Sequence, residues 1–422
     1  MERFVALDSW RGVAACLVAL LHLEAYSNMV YSHLHGMPFL SNSWLFVDFF
    51  FVLSGFVIAA NYQQRLLDGF GAARFLFLRL GRLYPLHVAM LAVAVAVKLL
   101  LILVPALLSI AQSGTAPFSG PRESPDTILA HLLLVHSLHL YDFFTWNGPS
   151  WSISTEFYTY VIFAACCVGL RKHAWIALPV VLTGCPVLIA MLSERNMATE
   201  YDWGIIRCVY GFAAGVLSWN IYRLWNGKLK RWLSGNIAEW SAIGLIFAFV
   251  SASGTTLLSL AAPYVFGLVV LVFAFEAGSA SAILRLRPLV FLGVLSYSIY
   301  MTHFFIARRL VDVGRAVNKL WDIDIFARRE IDGQYIDVLG TQQWHGDIAY
   351  PIFLAIVIAV SYFTYRWIEK PGREWTRDWV HTRQRSAVPR SDATPQEADG
   401  SAPGVRNWAR QRFFSTGSRK GW

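Results

Sequence analysis

An acidic residue, an arginine and a histidine lie in the first apolar stretch of the chain, DSWRGVAACLVALLH, at residues 8–22. In an α-helix, the spacing of Arg11 and His22 puts both side chains on nearly the same face, roughly 16 Å apart along the axis. Unpaired ionisable groups are costly in lipid, so those inside membrane helices usually line a cavity or pathway. The stretch predicts a cation near one membrane surface and a deeper imidazole. The alternative is a short amphipathic or signal-anchor helix that His22 merely caps.

Two carboxylates occur in later apolar segments. Asp48 lies in FVDFFFVLSGF, and Glu156 lies a turn or so into PSWSISTEFYTY. An acid at that depth needs a partner, so a structural ion pair and a catalytic role are both open for each of them. Either acid, or Glu24, could orient an imidazole or an acceptor hydroxyl, and we favour Glu156.

A pair of arginines opens the third long apolar run, in RFLFLRLGRLYPLH. Arg79 and Arg82 are three residues apart, which places them on one helix face. Each guanidinium presents a planar fork of donors that suits a phosphate-bearing ligand. Such pairs also anchor helices at lipid headgroups, so the spacing alone does not decide between the two roles.

The composition is that of a membrane protein. Of 422 residues, 56% are hydrophobic and only 15% are charged, whereas soluble domains carry about 25% charged residues. The net charge of +9 could suggest nucleic acid, but the basic residues lie between apolar runs and in the tail, as in cytoplasmic loops of membrane proteins. We therefore predict a polytopic protein whose surroundings are the lipid bilayer, with no nucleic-acid partner. The five cysteines fall in or beside apolar runs without metal-ligand spacing.

Ten apolar runs are long enough to cross a bilayer, which takes about 20 residues each. An eleventh candidate, 127–143, is shorter, and counting it would put the basic loop 223–231 outside, against the positive-inside rule. We predict an all-α membrane bundle of ten transmembrane helices with both termini in the cytoplasm, and an amphipathic or re-entrant outer segment at 127–143. The ten runs lie near residues 12–24, 44–60, 83–104, 152–170, 174–192, 205–222, 237–253, 257–276, 288–307 and 349–366.

The chain divides by composition into a membrane domain, 1–375, and a basic tail, 376–422. The tail is rich in Arg, Ser, Pro and Gly without a periodic apolar face, which predicts a disordered cytoplasmic segment. Near the boundary, in RWIEKPG, Pro371 is expected to end the last spanning helix, and Glu369 is most simply an interfacial anchor.

Six motifs occur in a fixed order: LDSWRG with its downstream histidine, FVDFFFVLSGF, RLGRLYP, PSWSISTEFY, SYSIYMTH and WIEKP. Together they resemble acyltransferase family 3, bacterial membrane O-acyltransferases that modify sugars of polysaccharides, glycolipids, antibiotics or peptidoglycan. The resemblance covers about residues 1–375 and implies a ten-span bundle. The departures are small, because Ser9-Trp10 stands where a pair such as Gly-Leu is common and His87 follows the Tyr-Pro.

The resemblance assigns roles to residues of this chain. The family's Arg-x10-His element falls on Arg11 and His22, and the histidine is regarded as essential for catalysis. Its Arg-x-x-Arg element falls on Arg79 and Arg82, which are thought to engage the acyl-CoA donor. Its glutamate falls on Glu156.

We therefore predict an enzyme of the inner membrane that moves an acyl group, with acetyl expected, from cytoplasmic acyl-CoA to a sugar hydroxyl of a cell-surface glycan or glycolipid. The three arginines would hold the donor, and His22 would act as general base or carry the acyl group itself. Glu156 and Asp48 would assist. We expect no permanently bound cofactor and no metal. Some relatives carry a fused extracytoplasmic hydrolase-like domain. The resemblance therefore implies that this chain either acts alone or works with a separate partner of that kind.

Two other interpretations use the same residues. A proton-coupled transporter also needs intramembrane histidines and acids, although it more naturally shows repeated halves. A metal site could be built from His131, His136 and His139, but their intervals leave His131 off the helical face that the other two share. We favour the acyltransferase over both.

Overall fold

The structure is a computed structural model that describes residues 3–26, 30, 32–34, 36–107, 118, 120–321, 325–331 and 334–386. Within these ranges it contains ten helical segments long and apolar enough to cross a membrane. This confirms the predicted all-α bundle, whereas the cytoplasmic position of the termini stays a prediction. The long helices are α1 (Val5–Tyr26), α2 (Phe46–Ile58), α3 (Ala72–Leu107), α4 (Trp151–Leu170), α5 (Ala177–Leu192), α6 (Gly204–Leu233), α7 (Asn236–Ser253), α8 (Ala262–Ala274), α9 (Arg287–Trp321), α10 (Gln343–Thr364) and α11 (Lys370–Ser386).

Two spans contain a π-helical turn. In the second span α2 continues through Ala59–Gln63, and in the last span α10 continues through Tyr365–Glu369 into α11. The prediction that Pro371 ends the last helix is therefore wrong. Pro371 is the second residue after the π turn, where a new hydrogen-bond register begins and its missing N–H costs little. Helix α11 continues beyond the predicted boundary at 375, and 387–422 lie outside the described residues.

Helices α1 and α9 pack with their backbones in contact. A Cβ built on Gly12 would lie 2.5 Å from the backbone of Leu292 and Gly293, so only glycine allows this approach. Further along, the ring of His22 touches that of His303. Since residue numbers rise along both helices in the same direction, α1 and α9 run parallel. This contact fixes the height of Arg11 and His22 in the bundle.

Helix α2 lies in the centre of the bundle and is mostly buried. Gly55 on α2 and Gly215 on α6 have no room for a Cβ, because each lies against the backbone of the opposite helix. These two glycines therefore let α2 and α6 approach each other closely.

The remaining segments are short. Residues 127–143 begin inside an eight-residue helix, Pro125–Leu132, and continue as turns, which is too short for a span. An antiparallel hairpin of Phe326–Ile331 and Gln334–Leu339, which the sequence reading missed, lies between α9 and α10. Other short helices are Pro38–Ser41, Gln64–Leu67 and Ser279–Leu284.

Candidate active site

Three of the predicted site residues line one cavity inside the bundle. Arg11, Arg82 and Glu156 meet around a space of about 720 Å³, its open mouth included. We call this space the arginine cavity. Its other lining residues are Val47, Phe50, Phe51, Leu53, Ser54, Val57, Ile58, Leu83, Ser152, Ile153, Ser296, Tyr297 and Tyr300. Two cations and one anion thus face a mostly apolar wall.

Hydrogen bonds hold Glu156 in position. Its carboxylate accepts from the hydroxyl of Ser54 at 2.7 Å and from the hydroxyl of Tyr160. Glu156 also lies within electrostatic range of the predicted donor-binding arginines. The hydroxyl of Ser54 therefore helps to orient Glu156, whose negative charge offsets the charges of the nearby arginines.

Arg79 lies beside the arginine cavity but does not line it. Its Nη2 donates to the hydroxyl of Tyr62 at 3.1 Å, and its guanidinium lies 4.9 Å from the centre of the Tyr62 ring. Tyr62 belongs to the π turn that extends α2. Arg79 also lies within electrostatic range of Arg82 and Glu156, which do line the cavity.

Arg11 is held by α9. Its Nη2 donates to the hydroxyl of Ser296 at 2.8 Å, and its Nη1 lies 3.6 Å from Asp8. Because Ser296 lies one turn beyond Gly293, the glycine contact of α1 with α9 is what brings the two side chains together.

Glu369 is not the interfacial anchor that the sequence predicted. Glu369 is only 3% exposed and accepts a hydrogen bond from Ser298 at 2.8 Å. It lies within electrostatic range of Arg82 and Arg11. Glu369 lies in the motif WIEKP. Because Pro371 was expected to end the helix, the sequence predicted a position at the membrane surface, whereas the helix continues and Glu369 lies inside the bundle.

His22 forms a pair with His303. Their ring centres are 4.8 Å apart. The Nδ1 of His22 donates to the carbonyl of Val18 at 2.8 Å, and the Nδ1 of His303 donates to the carbonyl of Ile299 at 3.0 Å. In a neutral ring this leaves Nε2 as the basic nitrogen of each histidine. The Nε2 of His303 is buried and has no hydrogen-bond partner in the described part of the chain.

The histidine pair lies beyond one end of the arginine cavity. Tyr300 lines that cavity, and its ring centre is 5.7 Å from that of His303. His22 itself is not part of the cavity wall. The structure thus places the predicted base next to the predicted donor site, with Tyr300 between them.

Asp48 lies in a different place, in a buried ion pair with Arg207. The guanidinium donates to both carboxylate oxygens, at 2.9 and 2.8 Å, and both side chains are at most 1% exposed. The rings of Trp44 and Trp151 flank the arginine at 5.1 and 5.3 Å. Of the two roles that the sequence left open for Asp48, this position favours structural pairing. The side chain of Glu24 lies outside the described residues.

The histidine cluster of the segment 127–143 differs from the one considered in the sequence. His131 and His136 are joined by His87 of α3, and one ring nitrogen of each lies within 4.8 Å of the other two. His139 instead stacks on Trp203. The rings of His131 and His136 are nearly parallel, 6° apart, with centres at 3.8 Å. An ion bound by in-plane lone pairs cannot lie in both ring planes, so the rings form a stack rather than a coordination site.

Burial keeps this stack neutral. It lowers the pKa of His131 well below its usual value and lowers the pKa of His136 to about 3. The Nε2 atoms of the two rings lie 2.7 Å from Thr145 Oγ1 and 3.2 Å from the Ser150 carbonyl. The cluster therefore joins the segment 127–143 to the bundle as packed, uncharged imidazoles.

Comparison of the sequence with known proteins shows which family the chain belongs to. The sequence model of one family, described as an acyltransferase domain, matches residues 4–366. A curated relative, protein 2 in the picA locus of Rhizobium radiobacter, is 42% identical over 96 residues, which are 22% of this chain and 46% of the relative. The chain thus spans about half the length of that relative. No solved structure matches the chain.

Proposed function

Because the chain belongs to acyltransferase family 3 and is a multi-pass membrane acyltransferase, we propose that it moves an acyl group from cytoplasmic acyl-CoA to a sugar hydroxyl of a cell-surface or exported glycan. Acetyl is the expected group, and the bacterial inner membrane is the expected location. One observation carries this proposal: Arg11, Arg82 and Glu156, predicted from separate motifs, line a single cavity that ends next to His22 and His303.

The arginine cavity suits the donor. Acyl-CoA is polyanionic at its nucleotide end and thin along its pantetheine arm. Arg11 and Arg82 in the cavity wall, with Arg79 beside them, would bind the phosphates by charge-assisted hydrogen bonds. Without a donor, Glu156 and Glu369 balance these charges. The arm would then extend past Tyr300 towards the histidine pair.

The hydrogen bond between His22 Nδ1 and the Val18 carbonyl supports a role of His22 as the base, because it leaves Nε2 as the basic nitrogen of the neutral ring. Its Nε2 would remove the proton from the sugar hydroxyl while the oxygen attacks the thioester carbonyl, which contributes typically 10²–10⁴-fold. The carbon–sulfur bond breaks, and the CoA sulfur leaves with the proton returned by the imidazolium. In the alternative route Nε2 attacks the thioester first, and CoA leaves as its thiolate. The hydroxyl then attacks the acyl-imidazole, the acyl–nitrogen bond breaks, and the thiolate takes the hydroxyl proton.

The proposal is tested by mass spectrometry of surface glycans from cells with and without the gene. We expect a mass shift of one acyl group that depends on the gene and that mild base removes as an ester. As a control, the strain without the gene re-expresses the variant His173→Ala, which changes an exposed histidine. The mass shift should return in this strain. Identical glycans in both strains would contradict the glycan acceptor. Uptake of a labelled sugar in place of acyl transfer would favour the transporter alternative.

A further inference from the structure

A second cavity lies on the far side of the histidine pair from the arginine cavity. On α9, the residues that line the arginine cavity end at Tyr300, and those that line the second cavity begin at Phe304, so His303 lies between the two. Helix α3 shows the same division, with Leu83 on one cavity and Met90 on the other. The second cavity encloses about 600 Å³, its open mouth included.

The walls of the second cavity combine aromatic faces with positive charge. Trp146 and Phe304 offer ring surfaces, and Phe304 also touches His22 with ring centres 6.0 Å apart. Lys98 is neutralised by Glu123 at 2.5 Å. The two arginines that line the same wall, Arg308 and Arg309, add positive charge.

The arginines are only partly neutralised. Arg309 Nη2 pairs with Asp312 at 2.7 Å, whereas its Nε is buried without a hydrogen-bond partner. Arg308 is exposed and has no ion pair within the described ranges. The cavity therefore keeps an excess of positive charge and an unused donor.

Asn147 supplies an unused acceptor in the same wall. Its Nδ2 donates to the carbonyl of Met301 at 3.1 Å, which identifies the other amide atom as Oδ1. Asn147 is only 6% exposed, and this Oδ1 has no partner in the described part of the chain. A buried polar atom without a partner is unfavourable, so a hydrogen bond from a ligand hydroxyl to Oδ1 would increase the affinity for that ligand.

We propose that the second cavity binds the acceptor and selects a sugar that carries an anionic group, a carboxylate or a phosphate. The inference rests on the proposed function, because it takes the arginine cavity as the donor side. The sugar ring would stack on Trp146 or Phe304, one hydroxyl would donate to Asn147 Oδ1, and the acid would accept from Arg308 and from Arg309 Nε. Donor and acceptor then reach His22 from opposite sides.

The test uses the full-length protein in phosphatidylcholine nanodiscs with acetyl-CoA and two probes, methyl glucuronide and the neutral methyl glucoside. Ester formation is followed by mass spectrometry, and binding without donor by saturation-transfer NMR. We expect the wild type to prefer the anionic sugar by about tenfold in kcat/KM, the factor that one charge-assisted hydrogen bond supplies. The double variant Arg308→Gln with Arg309→Gln removes both proposed contacts to the acid, so it should bring the ratio close to one and leave the KM for acetyl-CoA unchanged. Arg315→Gln, an exposed arginine on the same helix, should keep the wild-type ratio.

Each other outcome has a separate meaning. Equal transfer to both sugars by the wild type would overturn the anionic selectivity and leave the proposed function standing. Transfer to neither sugar would count against the proposed function, and the NMR binding ratio would still decide the selectivity. A third arm adds phosphatidylglycerol to the nanodiscs. Loss of the wild-type preference there would mean that the arginines bind lipid headgroups, which would also overturn the inference.

Discussion

At the scale of residues, charges that face a cavity are separate from charges that are paired inside the bundle. Arg82 and Arg11 face a cavity together with one acid, whereas Arg207 is saturated by Asp48 and two tryptophan rings. The sequence pointed to the first group through the spacing within separate motifs, and the family resemblance supplied the expected roles. The role of Asp48 stayed open, because its partner Arg207 lies 159 residues away and belongs to none of the six motifs.

Arg82 is expected to act on donor binding. Arg82→Ala removes a guanidinium from the cavity wall, and a hydrogen bond to a charged group is worth about 1.5–3 kcal/mol, so the KM for acyl-CoA should rise about 10- to 100-fold. The kcat at saturating donor should change little. Steady-state kinetics of the purified protein measure both. A fall in kcat with unchanged KM would place Arg82 in the chemical step instead.

Asp48 is expected to act on stability. Asp48→Ala leaves Arg207 buried without its partner, which should destabilise the protein by about 3–5 kcal/mol. The double variant Asp48→Leu with Arg207→Met should recover most of that loss, because both charges are gone. Chemical unfolding in detergent measures the stability, and activity per folded molecule should stay near that of the wild type. A folded double variant without acyl transfer would instead support the catalytic role first predicted for Asp48.

At the scale of elements, helix packing sets the height of the chemical groups. The contact of Gly12 with Gly293 aligns α1 and α9, and two π turns bring Tyr62 to Arg79 and Glu369 to the interior. The ten spans followed from hydropathy and the positions of the basic loops. The π turns did not follow, because their sequences contain no local marker. For that reason the sequence predicts a helix end at Pro371 and a surface position for Glu369, and both predictions are wrong.

A methyl group at Gly12 should disturb this alignment. Gly12→Ala forces a Cβ against the backbone of α9, and overpacking of this kind costs typically 1–3 kcal/mol. We expect lower thermal stability and, in the protein that folds, a lower rate of acyl transfer because Arg11 and His22 move together. Gly169→Ala on α4, where nothing lies within 4 Å, is the matched control. Equal behaviour of the two variants would show that the glycine contact does not position the site.

The stacked histidines should make stability depend on pH. Burial lowers the pKa of His131 and His136 below the usual value of 6.5, so the unfolded chain binds protons that the folded chain does not. Their contribution is therefore fully present above about pH 6.5 and is lost as the pH falls towards 3. His136→Gln keeps an amide donor but cannot titrate, so its melting temperature should fall less steeply between pH 7 and pH 4. A slope equal to that of the wild type would contradict the neutral stack.

At the scale of the whole molecule, the arginine cavity and the second cavity lie on opposite sides of one histidine pair. The sequence predicted the family, the number of spans and three of the residues that line the arginine cavity, because these depend on hydropathy, on the distribution of charge and on motifs that each lie within one helix. It did not predict the second cavity or the role of Asn147. Those arise where a loop, α3 and α9 meet, and no spacing within one segment records such a meeting.

The most direct test of the account is acyl transfer by His22→Ala, measured in nanodiscs alongside acyl-CoA binding in the same sample. The account predicts a loss of at least about 10²-fold in transfer, because the general base is gone, with donor affinity unchanged because Arg11, Arg79 and Arg82 remain. Wild-type transfer by this variant would contradict the proposed chemistry, whatever the donor affinity proved to be.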